Sequence, residues 1–272
     1  MSIGFRYTSL EVRGGSAPSS FVKCRCASAY ASDAARFLLG DSFHPGGAAL
    51  TARLGASLGL TPDRLLLDVA CGPGTSVLRL ARESGCRAVG LDLSEGSLLA
   101  ATGRSAREGT AARVRFVRGD AEALPLADAS VDALLCECAL CAFPDQTAAV
   151  AEIARVLRRG GHVALSDMVA DPSRLPDRLR ALDAHVACVA GARPLDDLAA
   201  LLAEAGLDVV RVERHDDALA ALLDRVEARL RLARVLSGAP DLDVRTGLEL
   251  VGEARTAMAR GVLGYGVVVA TA

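Results

Sequence analysis

The stretch Leu65-Leu-Leu-Asp-Val-Ala-Cys-Gly-Pro-Gly-Thr-Ser76 joins an apolar run to an acidic residue and a glycine-containing turn. The apolar run predicts a buried strand ending near Asp68, and Gly72 and Gly74 predict a tight turn into a helix. Because glycine lacks a side chain, the backbone amides of such a turn can approach a ligand closely. The stretch therefore predicts an α/β fold with a small cofactor at the turn.

The composition of the turn argues against a dinucleotide. The dinucleotide fingerprint has a third glycine for helix packing, whereas Thr75, Ser76 and Val77 follow Gly74 here. Asp68 would repel a diphosphate but attracts the ammonium group of an amino-acid moiety. Asp92 ends the next apolar run, a position from which a carboxylate reaches ribose hydroxyls.

Two further motifs follow in order, Gly119-Asp-Ala-Glu-Ala-Leu-Pro125 and Arg155-Val-Leu-Arg-Arg-Gly-Gly161. With the turn and Asp92 they resemble the class I S-adenosylmethionine-dependent methyltransferases, over roughly residues 65 to 168. The resemblance implies S-adenosyl-L-methionine as the cofactor, with one set of residues around its methionine part, one at the ribose and one near the adenine. In that order, these are Asp68, Gly72 and Gly74; Asp92; and Asp120 with Ala121. The expected cofactor site also includes Cys71, Leu93 and Cys136.

The hydrophobic pattern predicts the arrangement of the whole chain. Apolar runs at 65–69, 87–92, 113–117, 131–136 and 162–167 alternate with helical patterns, which is typical of parallel strands with helical crossovers. Runs at 207–213 and 264–270 complete the predicted sheet, and the resemblance implies that the last strand is antiparallel. The predicted fold class is therefore α/β, a Rossmann-like doubly wound sheet of seven strands, with N-terminal helices and a helical insertion before the last strand.

The same pattern predicts three parts of the chain. Residues 1–22 are expected to form a flexible leader, and residues 23–60 to contribute helices at 29–39 and 46–58 that cover the cofactor. Residues 61–272 form the methyltransferase domain in this prediction. Its insertion, at about 216–260, consists of two amphipathic helices at 216–237 and 244–260. We expect this insertion to form a cap or an oligomer surface, such as a homodimer interface.

Charge and hydropathy exclude several classes of partner. The formal net charge is −2 and no basic run is present, which argues against nucleic acid and anionic membranes as partners. No apolar run reaches the roughly 20 residues that span a bilayer, and the N-terminus has no apolar segment typical of a signal peptide. We therefore expect a cytoplasmic enzyme acting on a small-molecule or metalloid substrate.

The cysteines are the unusual chemistry of the chain. It contains eight, and in a cytoplasmic protein free thiols are the expected state. Cys71, Cys86 and Cys136 fall in the turn or in strands, where cysteine commonly serves as a small packing residue. The other five lie in segments predicted to reach the ligand side of the sheet: Cys24, Cys26, Cys138, Cys141 and Cys188. Soft thiolates at a methyl-transfer site point to a thiophilic acceptor.

A closer resemblance concerns Cys138-Ala-Leu-Cys-Ala-Phe-Pro-Asp145 and Cys188-Val-Ala-Gly-Ala192. Both segments are similar to cysteine segments of the arsenite methyltransferases, in which three thiolates hold trivalent arsenic. The resemblance implies that Cys138 and Cys188 are arsenic ligands. Cys26 or Cys24 would be the third ligand or a disulfide-relay thiol. The chain departs from that family at Glu137 and Cys141, where the family has asparagine.

Two alternatives stay open at this point. One is a small-molecule methyltransferase of the quinone-pathway type, acting on carbon, nitrogen or oxygen, with its cysteines used for packing. The other is a non-catalytic protein that binds a metal or metalloid through these thiols, although their spacing differs from common zinc sites. Among the histidines, His44 is expected on an exposed loop that caps a helix, with a role near the cofactor as the second possibility. His185 is a candidate neighbour of Cys188.

Overall fold

A single sheet organises the computed structural model, which describes residues 30, 32–40, 42–180, 187–234 and 242–272. Its seven strands lie in the order β3-β2-β1-β4-β5-β7-β6. In chain order the strands are β1 (Leu65–Val69), β2 (Arg87–Asp92), β3 (Val114–Arg118), β4 (Val131–Glu137), β5 (Leu157–Ala170), β6 (Asp208–Arg214) and β7 (Leu263–Thr271). β1 to β5 pair in parallel, and β7 runs antiparallel to both β5 and β6.

Helices connect the strands and precede the sheet. Before β1 lie α1 (Asp33–Leu39) and α2 (Gly47–Ser57). The crossovers between strands contain α3 (Thr75–Ser84), α4 (Glu95–Arg107), α5 (Gln146–Val156), α6 (Asp177–Arg180), α7 (Ala187–Ala190) and α8 (Leu195–Glu204). Two long helices, α9 (Asp216–Ala233) and α10 (Val244–Ala259), lie between β6 and β7.

The core has one layer on each side of the sheet because side chains alternate along each strand. In β4, Ala133 and Leu135 pack into the layer that contains α2 and α3, whereas Leu134 and Cys136 pack into the layer with α5 and α8. β4 and β5 are buried almost throughout, as expected for central strands covered on both faces. The sequence prediction of the fold class, including the N-terminal helices and the insertion, is confirmed.

The boundaries differ from the predictions in three places. β5 begins at Leu157 rather than at residue 162, since Leu157 already pairs with Val131 across a register shift. α1 begins at Asp33 because Ser32 accepts a hydrogen bond from the Ala35 amide and caps the helix. α9 ends at Ala233. The predicted leader lies outside the described residues.

The insertion packs on the N-terminal region as well as on the sheet. α9 and α10 contact each other and β7, and α9 also contacts α1. A guanidinium nitrogen of Arg229 donates a hydrogen bond to the Phe37 carbonyl, 3.0 Å away. The insertion therefore supports α1, as a cap would; a homodimer remains a prediction.

Within the described ranges, none of the helices has the length and apolar character needed to cross a lipid bilayer. The cytoplasmic location stays a prediction.

Candidate cofactor and acceptor site

The turn after β1 has the backbone geometry that its glycines allow. Gly72 and Gly74 have φ angles of 53° and 78°, and Gly74 caps α3. A Cβ atom added to Gly72 would meet no atom within 4 Å, whereas one added to Gly74 would lie 3.1 Å from Phe116. Gly72 thus leaves open space at the ligand side, while Gly74 allows close packing behind it.

Two carboxylates flank this turn. Asp68 is 3% exposed, and its Oδ2 has no hydrogen-bond partner among the described residues. Burial, reinforced by the neighbouring charges of Glu137 and Asp92, raises the pKa of Asp68 well above its usual range. Asp92 accepts hydrogen bonds from the amides of Gly72 and Ser94, each 2.8 Å away, which fixes its orientation. A buried carboxylate oxygen without a donor suits a cationic ligand group such as an ammonium.

The turn opens into a cavity of about 1160 Å³, including its mouth. Its wall continues from the β1 turn to the ends of β2 and β4 and to the segment before α2. The cofactor turn and the end of β4 therefore face the same cavity.

Three thiols come together beside this cavity. Cys138 follows β4, has a φ of 53° and lines the cavity, and Cys141 lies in the short 3₁₀ helix Leu140–Ala142. Cys188 comes from α7, which packs against that 3₁₀ helix. Gly191 permits this approach, because a Cβ there would lie 1.9 Å from the Cys141 carbonyl oxygen.

Hydrogen bonds concentrate on the sulfur of Cys188. Bonds from the thiols of Cys138 and Cys141 lower the pKa of Cys188 well below its usual range, despite burial. The Tyr30 hydroxyl, 2.6 Å from this sulfur, adds to the effect. The bond to Cys188 raises the pKa of Cys138, and burial followed by the same kind of bond raises that of Cys141. The Cys188 thiol also donates a hydrogen bond to the Cys138 carbonyl oxygen, 3.8 Å away, so that contacts from both segments converge on this sulfur.

Asp167 lies behind the thiols. Its carboxylate accepts hydrogen bonds from the amides of Cys141 and Met168, at 2.9 and 2.7 Å. Burial, followed by the charge on Cys188, raises the pKa of Asp167 to about 7. In the part of the chain that the structure describes, no group of three or more His, Cys, Asp or Glu side chains is arranged to hold a metal ion.

Comparison with known proteins identifies the family. A model of the methyltransferase domain matches residues 67–165. An O-methyltransferase, rstn1, of Aspergillus nomiae is 30% identical over 161 residues, which are 59% of this chain and 72% of that protein. An arsenite methyltransferase of Halobacterium salinarum is 31% identical over 168 residues, 61% of this chain and 42% of that protein. The chain belongs to the S-adenosylmethionine-dependent methyltransferases.

A solved structure agrees with this assignment. A methyltransferase from Thiobacillus denitrificans, in complex with S-adenosyl-L-homocysteine, is 25% identical and superposes with a TM-score of 0.67. The superposition covers 89% of this chain and 98% of that one. By contrast, this methyltransferase chain spans 42% of the length of the archaeal arsenite methyltransferase and 63% of a methyltransferase, GfsG, of Streptomyces halstedii.

The structure brings most of the residues predicted for the cofactor to the cavity of this methyltransferase. They are Asp68, Cys71, Gly72, Asp92, Leu93, Asp120 and Ala121. Cys136 is not among the lining residues: it is fully buried in the layer with α5 and α8, because the alternation of β4 turns it away. Gly74 also lies behind the wall, in contact range of Phe116.

The structure describes only some of the residues that were predicted to hold the acceptor. Cys138 and Cys188 lie together, whereas Cys24, Cys26 and His185 fall outside the described residues. His44 is 6% exposed, so the prediction of an exposed loop histidine was wrong: its ring packs against Glu137 and Thr51.

Sequence reasoning gave no role to Tyr30 or Asp167 and none to Cys141 beyond its position. The C-x-x-C spacing of Cys138 and Cys141 was the available signal for Cys141.

Proposed function

We propose that this chain transfers a methyl group from S-adenosyl-L-methionine to trivalent arsenic, or to a similar thiophilic acceptor, held by Cys138 and Cys188. The observation that carries the proposal is the contact between two separate cysteine segments beside the cavity: the Cys188 sulfur lies 3.8 Å from the carbonyl oxygen of Cys138, which lines the cavity wall. Soft sulfur ligands favour a soft acceptor. The 31% identity to an arsenite methyltransferase points the same way.

The residues around the turn have separate tasks in this proposal. The unpartnered oxygen of Asp68 accepts the ammonium group of the cofactor, and Asp92, oriented by two amides, accepts its ribose hydroxyls. Asp120 and Ala121 lie near the adenine. When bound, the cofactor supplies a sulfonium methyl group, so that a carbon–sulfur bond breaks as the arsenic lone pair forms a carbon–arsenic bond.

The thiols supply the acceptor side. Cys188, the thiol whose pKa is lowered, is the first sulfur to bond to arsenic, and Cys138, which lines the cavity, is the second. Cys141, in the 3₁₀ helix that packs against α7, is the described candidate for a third; Cys26 and Cys24 are the others. Holding the acceptor next to the methyl group is the main catalytic contribution that this arrangement requires, and orientation alone supplies up to roughly 7–11 kcal/mol.

The test separates acceptor binding from cofactor binding. Cys138→Ser and Cys188→Ser are expected to abolish arsenite methylation while the calorimetric affinity for S-adenosyl-L-methionine changes less than about twofold. Cys86→Ala, a buried cysteine at the start of β2, serves as the control that retains methylation. Full turnover of arsenite by both serine variants would contradict the proposal.

A second candidate is methylation of a small organic molecule at oxygen, which is favoured by the relative rstn1. In that case the cysteines of this chain would be packing residues and not ligands of the methyl acceptor. The same assay, run with labelled cofactor and a panel of phenols and quinols, distinguishes the two by product mass. Turnover of an organic acceptor that survives both serine substitutions would support this second candidate.

A further inference from the structure

The carboxylate of Glu137, at the end of β4, is held by hydroxyl groups from two helices. Thr51 of α2 donates to its two oxygens, at 3.0 and 3.2 Å, and Ser76 of α3 donates to Oε2 at 2.5 Å. The Glu137 side chain is only 5% exposed. Since a buried carboxylate without donors is costly, these bonds fix the positions of both helices relative to β4.

His44 completes the same group of side chains. Its Nε2 lies 3.4 Å from Oε2 of Glu137 and 3.2 Å from the Thr51 hydroxyl, and its Nδ1 lies 3.0 Å from the Pro45 carbonyl oxygen. Thr51 and His44 both belong to the region before β1, and both are buried. The region that precedes the sheet is thus anchored to β4 through a single carboxylate.

Ser76 connects this anchor to the cofactor turn. It lies in the first turn of α3, two residues after Gly74, and lines the same cavity wall as His44 and Glu137. Its hydroxyl also lies 3.4 Å from that of Thr51. Hydrogen bonds therefore link the first turn of α3 to α2 through Ser76 and Glu137.

We propose that Glu137 is a positioning residue that couples cofactor binding at the turn to the packing of α2 and of the His44 segment, which lines the cavity. The carboxylate meets two hydroxyl donors and an imidazole from three neighbouring segments. This role involves no acceptor, so it holds for an arsenic or an organic substrate.

Hydrogen exchange of the α2 amides, residues 47–57, tests the coupling in the full chain. In the wild type, saturating S-adenosyl-L-methionine is expected to slow this exchange at least about tenfold, because a bound cofactor that holds the turn also stabilises the hydrogen bonds of Glu137 to α2. Glu137→Ala should lose most of that slowing and bind the cofactor about tenfold more weakly by calorimetry. Thr102→Val, which changes an exposed threonine on α4, is the control and should behave as the wild type.

Two milder variants keep the test decisive if Glu137→Ala does not fold. Thr51→Val and Ser76→Ala each remove one donor, and each should reduce the cofactor-induced slowing severalfold. The double variant should lose no more than the sum of the two effects, since both act through Glu137. Slowing of α2 exchange that is equal to wild type in both single variants would overturn the proposal.

A wild-type chain that binds the cofactor without any slowing at α2 would also overturn the coupling, while leaving the proposed function intact. Failure of the wild type to bind the cofactor would overturn both. Loss of arsenite methylation alone, with the slowing of α2 exchange unchanged in the Glu137 and Thr51 variants, would place these residues outside the coupling and contradict it.

Discussion

Gly191 determines how closely the segment with Cys188 approaches the segment with Cys138 and Cys141. The backbone of α7 approaches the Cys141 carbonyl so closely that a side chain at position 191 has no room. This close approach places the Cys188 sulfur 3.8 Å from the Cys138 carbonyl oxygen in the other segment. The position of the Cys188 sulfur thus depends on the absence of a side chain at Gly191, which lies fifty residues from Cys141 along the chain.

Gly191→Ala is expected to separate Cys188 from Cys141 and to lower arsenite methylation at least about tenfold, because the thiols would no longer converge. Overpacking of this kind costs roughly 1–3 kcal/mol of unfolding free energy. Calorimetric binding of S-adenosyl-L-methionine should stay within about twofold of wild type.

The matched control is Gly252→Ala, at an open position on α10 with no atom within 4 Å of the added carbon. It should raise the unfolding free energy by about 0.5–1 kcal/mol and leave methylation unchanged. Methylation by Gly191→Ala at the rate of this control would contradict the predicted role of the contact.

Substitution of Asp68 is expected to change two quantities in opposite directions, the unfolding free energy and the affinity for the cofactor. Its buried oxygen lacks a donor, and burial raises its pKa, so the ionised group destabilises the unliganded chain. Asp68→Asn should therefore increase the unfolding free energy in denaturant titrations. The same change should weaken cofactor binding by about 10- to 100-fold, since a hydrogen bond to a charged group is lost.

Asp197→Asn, at an exposed aspartate of α8, is the control for Asp68 and should change neither quantity appreciably. An Asp68→Asn variant that binds the cofactor as the wild type does would remove Asp68 from the cofactor site.

The two helices α9 and α10 join β6 to β7, where a short hairpin turn would otherwise connect these antiparallel strands. This insertion contacts β7 and also the N-terminal helix α1, so two regions far apart in sequence support each other. Arg229 provides a polar link between them, because its guanidinium donates a hydrogen bond to the Phe37 carbonyl near the end of α1. Cations are favoured at helix C-termini, where carbonyl groups lack partners.

Arg229→Ala is accordingly expected to loosen α1 without altering the sheet. Amides of residues 33–39 should exchange several times faster, while those of β4 and β5 keep their protection. Arg225→Ala, at an exposed arginine of the same helix, is the comparison variant. Equal exchange of α1 in the two variants would show that the Arg229 hydrogen bond does not hold this helix.

The stability of the whole molecule should depend on pH through Asp167. Its pKa is raised to about 7 from an ordinary 3.8, so the native state binds more protons than the unfolded state between these values. Stability therefore falls as pH rises through this window, and the loss is complete above about pH 7. The difference between these two pKa values corresponds to roughly 4 kcal/mol at most.

Asp167→Asn removes this titration. The difference in unfolding free energy between pH 5 and pH 8, measured in urea, should be smaller in the variant than in the wild type by up to that amount. The same pH dependence in both proteins would exclude Asp167 as its source.

The fold class could be predicted from the sequence because the patterns that indicate strands and helices are local and recur along the chain. The alternation of strand and helix patterns predicted all seven strands, and the motifs from Leu65 to Gly161 indicated the family. The wall of the cavity was predictable only in part. Cys136 was assigned to it because the strand boundary did not reveal on which face its side chain lies. Tyr30 and Asp167 were missed, and His44 was placed on an exposed loop, because their contacts with Cys188, Cys141 and Glu137 join residues more than twenty positions apart, for which no local pattern exists.

The place of β7 in the sheet has a consequence for how the chain is made. β7 is synthesised after every other strand, yet it lies between β5 and β6. While the ribosome translates residues 215–262, β6 has no neighbour, and Val210 and Val212 are available for wrong pairing. Nascent chains stalled within the insertion should thus be the form most dependent on chaperones.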